Sequence, residues 1–274
     1  KAEALPGVFA IVTANDLPEA EDRSEKLGES TINFKFLRDN NLASDKALYV
    51  GHAIAAVAAS TPNIAEQALD LIEVDYEVLP AVVDVRKAMT AESTVIHEQI
   101  RTKTDVDNTV MPAVDDMRKG WTAGAAILDE RRDRPSNVAS HFRHLKGDPE
   151  KGFAEADVII EREFHTVSVH QGYLEPHAAT ATWGADGILT IYASTQGTFA
   201  AREQIATLLQ YPMSKIKVIP TEVGGAFGGK NPTYVETPAA LLSRKSGRPV
   251  RIVMSRQEVL LGTGPGPGVY IKAK

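Results

Sequence analysis

The sequence predicts an α/β (α+β) chain with a mixed sheet and helices, and three observations carry that expectation. Segments whose apolar residues alternate, such as VIIEREFHTVSV, are interspersed with segments of helical period, such as TFAAREQIATLLQ. Two apolar strands run directly into helices, through ASTQGT and through EVGGAFGGKNPT. No uninterrupted apolar run approaches the roughly 20 residues of a membrane-spanning helix.

Residues Leu5 to Thr13 read as a short strand entered through a Pro-Gly turn. The apolar run Leu48 to Ser60 ends at Thr61-Pro62, a helix cap followed by proline at the first helical position. The helix Asn63 to Ile72 sets Ile64, Ala65, Ala68, Leu69 and Ile72 on one face, and Glu73 to Val78 alternates as a half-buried strand. His52 is read as a surface or satisfied core residue. From Arg101 to Lys146 the periodicity fails, which predicts a polar linker or insertion over 101–147 between a domain at 1–100 and a second at 148–274. The first domain opens on a strand with almost no lead-in, and the chain ends on the start of another, so further sequence is expected on both sides.

In the second domain, alternation from Val158 to Val169 predicts a long strand, and Asp186-Gly187 a hairpin turn between AATATW and ILTIYAS. His165, His170 and His177 are spaced by five and seven, which puts neighbours on opposite faces of a strand and argues against a shared metal. Glu175, followed by Pro176, sits where the backbone must bend, either bonding a turn or lining a pocket. Helix Thr198 to Gln210 follows Ser194 to Thr198, and Gln196 in that junction is either an ordinary turn residue or a donor and acceptor suited to an oxo or amide-like atom. Helix Tyr234 to Arg244, strand Pro249 to Met254 and a short helix from Ser255 complete the order.

The densest signal is GGAFGGKN. Gly224, Gly225, Gly228 and Gly229 free the backbone to take positive φ and approach a ligand, while the bland reading is a sharp turn between strand and helix. Two glycine pairs around one aromatic, Phe227, favour a ligand site. Both strand-to-helix junctions should open on the same edge of a sheet, where α/β folds bind ligands. A phosphate-cradling loop is the alternative, since Gly224, Gly229 and Lys230 satisfy G-x-x-x-x-G-K, but Asn231 stands where a magnesium-binding hydroxyl belongs. A nucleotide-binding protein using Gly224 to Lys230 is therefore the second reading.

With 43% hydrophobic and 24% charged residues, the 274-residue chain has the composition of an ordinary globular protein. Its net charge of −6 is spread along the sequence and supports neither a nucleic-acid nor an anionic-membrane partner. The first residues lack the pattern of a secretory signal, and a cytoplasmic location is the default. Cysteine is absent, so an iron–sulfur cluster cannot be built from this chain and would have to sit on a partner.

Taken in order, YVGHAIAAVAASTPNIAEQALDLIEVDYEVLPAVVD, HQGYLEPHAATATW, ASTQG, GGAFGGK and SGRPVRIVMSRQE closely resemble the molybdopterin-binding large subunit of the xanthine dehydrogenase and aldehyde oxidase family. The resemblance implies a hammerhead-like first domain and the first portion of a molybdopterin-binding domain over 148–274. It also implies a molybdenum hydroxylase, which inserts a water-derived oxygen into a carbon–hydrogen bond of an aldehyde, N-heterocycle or related small molecule. Molybdopterin, expected as a dinucleotide, would be the cofactor. Gln196 matches the glutamine that hydrogen-bonds the metal's oxo ligand, and Gly225, Ala226, Phe227 and Gly228 match the loop that packs on the pterin and metal centre. Asn231 and Glu175 would border the substrate pocket, Asn231 standing where xanthine-type enzymes carry glutamate, so another substrate class is expected. No metal ligand comes directly from the protein, and the family's general base lies beyond this chain. Electrons would pass to an iron–sulfur subunit and an FAD subunit, with the remainder of the large subunit, or a split second chain, completing a dimer of heterotrimers.

Overall fold

The computed structural model describes residues 1–27, 30–98, 100, 135–139 and 147–274. The linker expected over 101–147 lies for most of its length outside the described residues. Residues 1–75 and 165–269 form one compact unit, and residues 76–164 with 270–274 form a second. Among the described residues no helix is long and apolar enough to cross a membrane.

The first unit begins with β1 (Val8–Thr13), then the hairpin β2 (Ser24–Leu27) and β3 (Ser30–Asn33), which leads into α1 (Phe34–Asn41). The Asn33 side chain caps α1 by accepting the Phe36 amide. Of the apolar run from Leu48, only β4 (Ala55–Ala59) is strand, and it pairs antiparallel with β1. Thr61 and Pro62 start α2 (Pro62–Asp70) as the sequence indicates, with Thr61 Oγ1 accepting the Ile64 amide at 3.3 Å. The expected strand Glu73 to Val78 does not form; this stretch has no ladder partner and is exposed nearly throughout. β4 pairs with β1 in a two-stranded sheet to which 73–78 adds no third strand.

The rest of that unit is a four-stranded sheet of β6 (Ala178–Trp183), β7 (Leu189–Ala193), β8 (Ile216–Pro220) and β9 (Val250–Val253), in the order β8-β7-β6-β9. The Asp186-Gly187 turn joins β6 and β7 as an antiparallel hairpin, Gly187 taking a φ of +77°. β7 and β8 run parallel, a pairing that needs a crossover, which α5 (Thr198–Leu209) supplies. α6 (Glu236–Ser246) and α7 (Arg256–Gly262) flank β9, and Ser255 and Glu258 form a capping box at the start of α7.

Alternate residues of the sheet, among them Ala181, Ile191 and Val218, are buried in one core with α5 and α6. α6 is buried on every side from Glu236 to Ser243, because β6 covers one flank and β1 with β4 the other. Ser243, fully inside, accepts the Trp183 amide and donates to the Arg248 carbonyl, so its hydroxyl carries no unpaired cost. His52 is the satisfied core residue: Nδ1 accepts the Leu48 amide and Nε2 donates to the Asp39 carbonyl.

A second buried polar chain underlies the loop after β8. The Tyr173 hydroxyl lies 2.7 Å from His177 Nε2 and 3.2 Å from Thr263 Oγ1, and His170 Nε2 lies 2.9 Å from the same threonine oxygen. Thr263 in turn donates to the Val259 carbonyl in the last turn of α7. His177 also packs edge-on against Tyr234, at 5.1 Å between ring centroids. Burial pushes the His177 imidazole down to about 4, Lys230 and His170 adding to the effect and Glu175 opposing it.

In the second unit Asp84 caps α3 (Val85–Ala88), and Asp148 caps α4 (Pro149–Glu155) with Pro149 at its first position. Asn137 ties residues 88–96 together, accepting the Ile96 amide and donating to the carbonyls of Ala88 and Thr94. The long strand expected from Val158 to Val169 is shorter: β5 (Arg162–His165) pairs with β10 (Tyr270–Ala273), and Val169 forms an isolated antiparallel bridge with Gly266.

Two stability measurements follow from this packing. Leu242→Ala should lower unfolding free energy by about 2–5 kcal/mol at unchanged m-value in urea, because α6 cannot collapse onto the void from either side. A loss well under 1 kcal/mol would contradict a central position for α6. For His177 the folded pKa lies below the ordinary 6.5, so the unfolded chain binds the proton first as pH falls. Its contribution is complete above about pH 6.5 and is lost progressively toward pH 4, a total of about 3 kcal/mol. The stability gap between wild type and His177→Gln should therefore shrink on acidification, and a gap independent of pH would rule this out.

Candidate functional site

The parallel pairing of β7 and β8 aligns Ala193 with Pro220, so both strands end at one sheet edge. Beyond β7 the chain passes through Ser194 to Gly197 into α5, and beyond β8 it passes through the glycine loop into α6. The two junctions meet. Gln196 Oε1 accepts the Gly228 amide at 3.1 Å and the Lys230 amide at 3.2 Å. The Lys230 carbonyl returns the interaction, accepting the Gln196 amide at 3.2 Å and the Thr195 hydroxyl at 3.3 Å.

These contacts settle which way the Gln196 amide points. Two N–H donors converge on one atom of the side chain, and that atom has to be the oxygen, because an NH₂ group there would face donors only. Nε2 is left on the outer side, where it donates to no acceptor among the described residues.

The loop owes its shape to what lies beneath it. Gly225 has a φ of +94°, Phe227 +51° and Gly228 +90°, with Ala226 between them in the ordinary region, and the turn is closed by the Gly229 amide bonding the Ala226 carbonyl at 2.8 Å. A β-carbon at Gly229 would come within 2.7 Å of the buried Tyr173 ring, and one at Gly225 within 3.2 Å of Tyr173 Cβ. At Gly228, by contrast, a β-carbon would meet nothing within 4 Å. Two of the glycines therefore let the backbone lie on Tyr173, whereas the outer face at Gly228 is open. Ala226 is buried, Phe227 projects outward, and the amides of Gly225, Ala226 and Phe227 have no acceptor among the described residues.

The remaining predicted residues lie around this loop. Glu175 Oε2 accepts the Gly224 amide at 2.8 Å and pairs with Lys230 Nζ at 2.6 Å. Lys230 Nζ also stands 5.1 Å from the centre of the Tyr173 ring. Asn231 is exposed on the far side of Lys230, and its carbonyl accepts Gln204 Nε2 at 3.3 Å. The N-terminus of α6 is closed by its own residue: buried Glu236 accepts the Tyr234 amide at 2.9 Å, and burial pushes its carboxyl above the usual range against the pull of those amides and of Lys230. The donors left open at this edge are those of the loop itself.

Tyr173, Thr263 and Glu236 escaped the sequence reading. The signal for Tyr173 was its position four residues before His177, inside the segment already singled out; nothing local marks Thr263, which arrives from α7.

Residues 130–274 match the molybdopterin cofactor-binding domain, and residues 1–80 match the a/b hammerhead domain of aldehyde oxidase and xanthine dehydrogenase. A probable xanthine dehydrogenase subunit of Bacillus subtilis (strain 168) is 31% identical over 94% of this chain, which covers 29% of that relative. The nicotinate dehydrogenase large molybdopterin subunit of Eubacterium barkeri is 28% identical over 94% of this chain and is covered to 50%. Among solved structures, reconstituted CO dehydrogenase from Oligotropha carboxidovorans aligns with a TM-score of 0.66 at 29% identity, over 94% of this chain and 29% of that one. Since the first match takes in more than half of the 274 residues and falls on the sheet, the Gln196 junction and the glycine loop, the chain belongs to the molybdopterin cofactor-binding domain family.

Proposed function

We propose that this chain supplies part of the cofactor cradle of a molybdenum hydroxylase, an oxidoreductase acting on aldehydes, N-heterocycles or related small molecules. The observation that carries it is the Gln196 side chain, whose oxygen is held by the Gly228 and Lys230 amides and whose Nε2 is thereby turned outward as a donor. The donor set suits the group: the amides of Gly225, Ala226 and Phe227, with Nε2, offer hydrogen bonds only, as an electron-rich oxo or phosphate oxygen requires. The open face at Gly228 leaves room for a flat ring system against the backbone. When bound, a molybdenum pterin would supply the two-electron oxidation that no side chain here can perform.

In this reading Gln196, through Nε2, and the loop from Gly225 to Gly228, through its backbone amides, would hold the molybdenum pterin and keep water from that face of the loop, while Asn231 and Glu175 would border the substrate side. The proton acceptor is proposed to come from outside these residues, in keeping with a chain that covers 29% of its B. subtilis relative. Electron transfer to an iron–sulfur subunit and on to an FAD subunit is part of the proposal, any such cluster lying outside these cysteine-free residues. A dinucleotide form of the cofactor, assembly as a dimer of heterotrimers and a cytoplasmic location complete the proposal. A nucleotide-triphosphate site finds no support, because the Lys230 ammonium is fully enclosed and paired with Glu175.

In the assembled enzyme, Gln196→Glu keeps the side-chain shape but removes the donor. It should lower kcat on the order of 10²-fold or more with molybdenum content unchanged, and full turnover at full metal loading would refute the assignment. Titration with magnesium and ATP should give no saturable heat; micromolar binding that disappears in Lys230→Ala would instead establish the nucleotide reading.

A further inference from the structure

Both ends of the glycine loop are fastened to one carboxylate. Glu175 Oε2 accepts the Gly224 amide at 2.8 Å where the loop begins and the Lys230 ammonium at 2.6 Å where it ends. The lysine side chain is 0% exposed and the glutamate 29%, so the ammonium is enclosed under the loop while the carboxylate keeps one edge open. The fit at Gly224 is close: a β-carbon there would fall 2.8 Å from Glu175 Cβ. Lys230 is also the residue whose main chain grips Gln196, its N–H on Oε1 and its C=O on the glutamine amide.

Position therefore passes along a short covalent and hydrogen-bonded path. Glu175 fixes the lysine ammonium; the lysine side chain, enclosed beside Tyr173, fixes its own backbone; that backbone holds the oxygen of Gln196. Lose the carboxylate and the buried ammonium loses its ion pair, leaving in its field the Glu236 carboxyl, which burial pushes toward the neutral form, a state costly enough that the side chain must leave the core. Its departure would draw the Lys230 peptide with it, releasing one of the two donors that determine the orientation of Gln196.

We propose that Glu175 is a positioning residue: through Lys230 and Gly224 it sets the height of the loop and keeps Gln196 Nε2 facing the cofactor. This rests on the cofactor reading above for its catalytic consequence, but the mechanical part stands on the loop alone. It differs from a role for Glu175 in binding substrate, which would act on KM and leave the loop unchanged.

The test is hydrogen exchange by mass spectrometry on the assembled enzyme, for wild type, Glu175→Gln and Lys230→Met, combined with steady-state kinetics. Glu175→Gln keeps an acceptor for Gly224 and is the conservative variant should Lys230→Met fail to fold. Peptides covering residues 224–231 should exchange at least about tenfold faster in Glu175→Gln, while those from β6 and β7 stay as in wild type. With this, kcat should fall at least about tenfold at near-constant KM. Wild-type protection of 224–231 in Glu175→Gln overturns the proposal, as does a raised KM with the loop still protected. A loosened loop with unchanged kcat also overturns it, by separating the fastening from Gln196. Those outcomes concern Glu175 alone, whereas full activity of Gln196→Glu at full metal loading would bring down the cofactor reading itself.

Discussion

The parallel ladder between β7 and β8 is the constraint on which this site depends. Parallel strands end at the same side of a sheet, so the segments that follow them have to emerge together. An antiparallel pairing would have sent the Gln196 junction and the glycine loop to opposite ends, and no side-chain substitution could have brought them back. Once the ladder is in place, α5 fills the crossover, and the Lys230 and Gly228 amides come within hydrogen-bonding distance of Gln196 without any long side chain having to reach.

Beneath that edge lies a buried, hydrogen-bonded polar floor. Tyr173 is buried among His177, Thr263 and Lys230, with its hydroxyl engaged, and the loop backbone rests on its ring. Backbone can approach a ring this closely only where β-carbons are missing, which accounts for Gly225 and Gly229 by packing. Gly228 answers to a different demand, a positive φ at a point where space is open. The same four letters in a sequence thus stand for two physical needs, one facing inward and one facing outward.

Proteins named as xanthine, nicotinate and CO dehydrogenases resemble this chain over 94% of its length, so one scaffold accompanies several substrate names. In this chain the inward contacts of the loop are closed by Tyr173, Glu175 and Gln196, while Phe227 and Asn231 remain exposed beyond them. Variation at such outward positions costs the fold little, because no buried partner is lost.

Local chemistry was legible in the sequence at caps and turns, but not in the Tyr173–His177 and Tyr234–Glu236 contacts, which are just as short in sequence and exist only because the packed interior encloses them. Thr61 with Pro62, the Asp186-Gly187 turn and the strand-to-helix order around Gln196 and GGAFGGK all rest on backbone geometry that neighbouring residues dictate. Alternation alone misled at Glu73 to Val78, since a period of two says that a segment can be a strand and not that a partner edge exists. The tertiary structure decided the pairing of β1 with β4, the burial of α6 between two layers, and the closure of its N-terminus by Glu236. It also decided the orientation of the Gln196 amide and the link from Glu175 to Lys230, contacts that join residues 34 and 55 positions apart. Such contacts depend on packed elements meeting in space, and a one-dimensional pattern holds no information on which distant groups will share an unsolvated site until the sheet has set their distance.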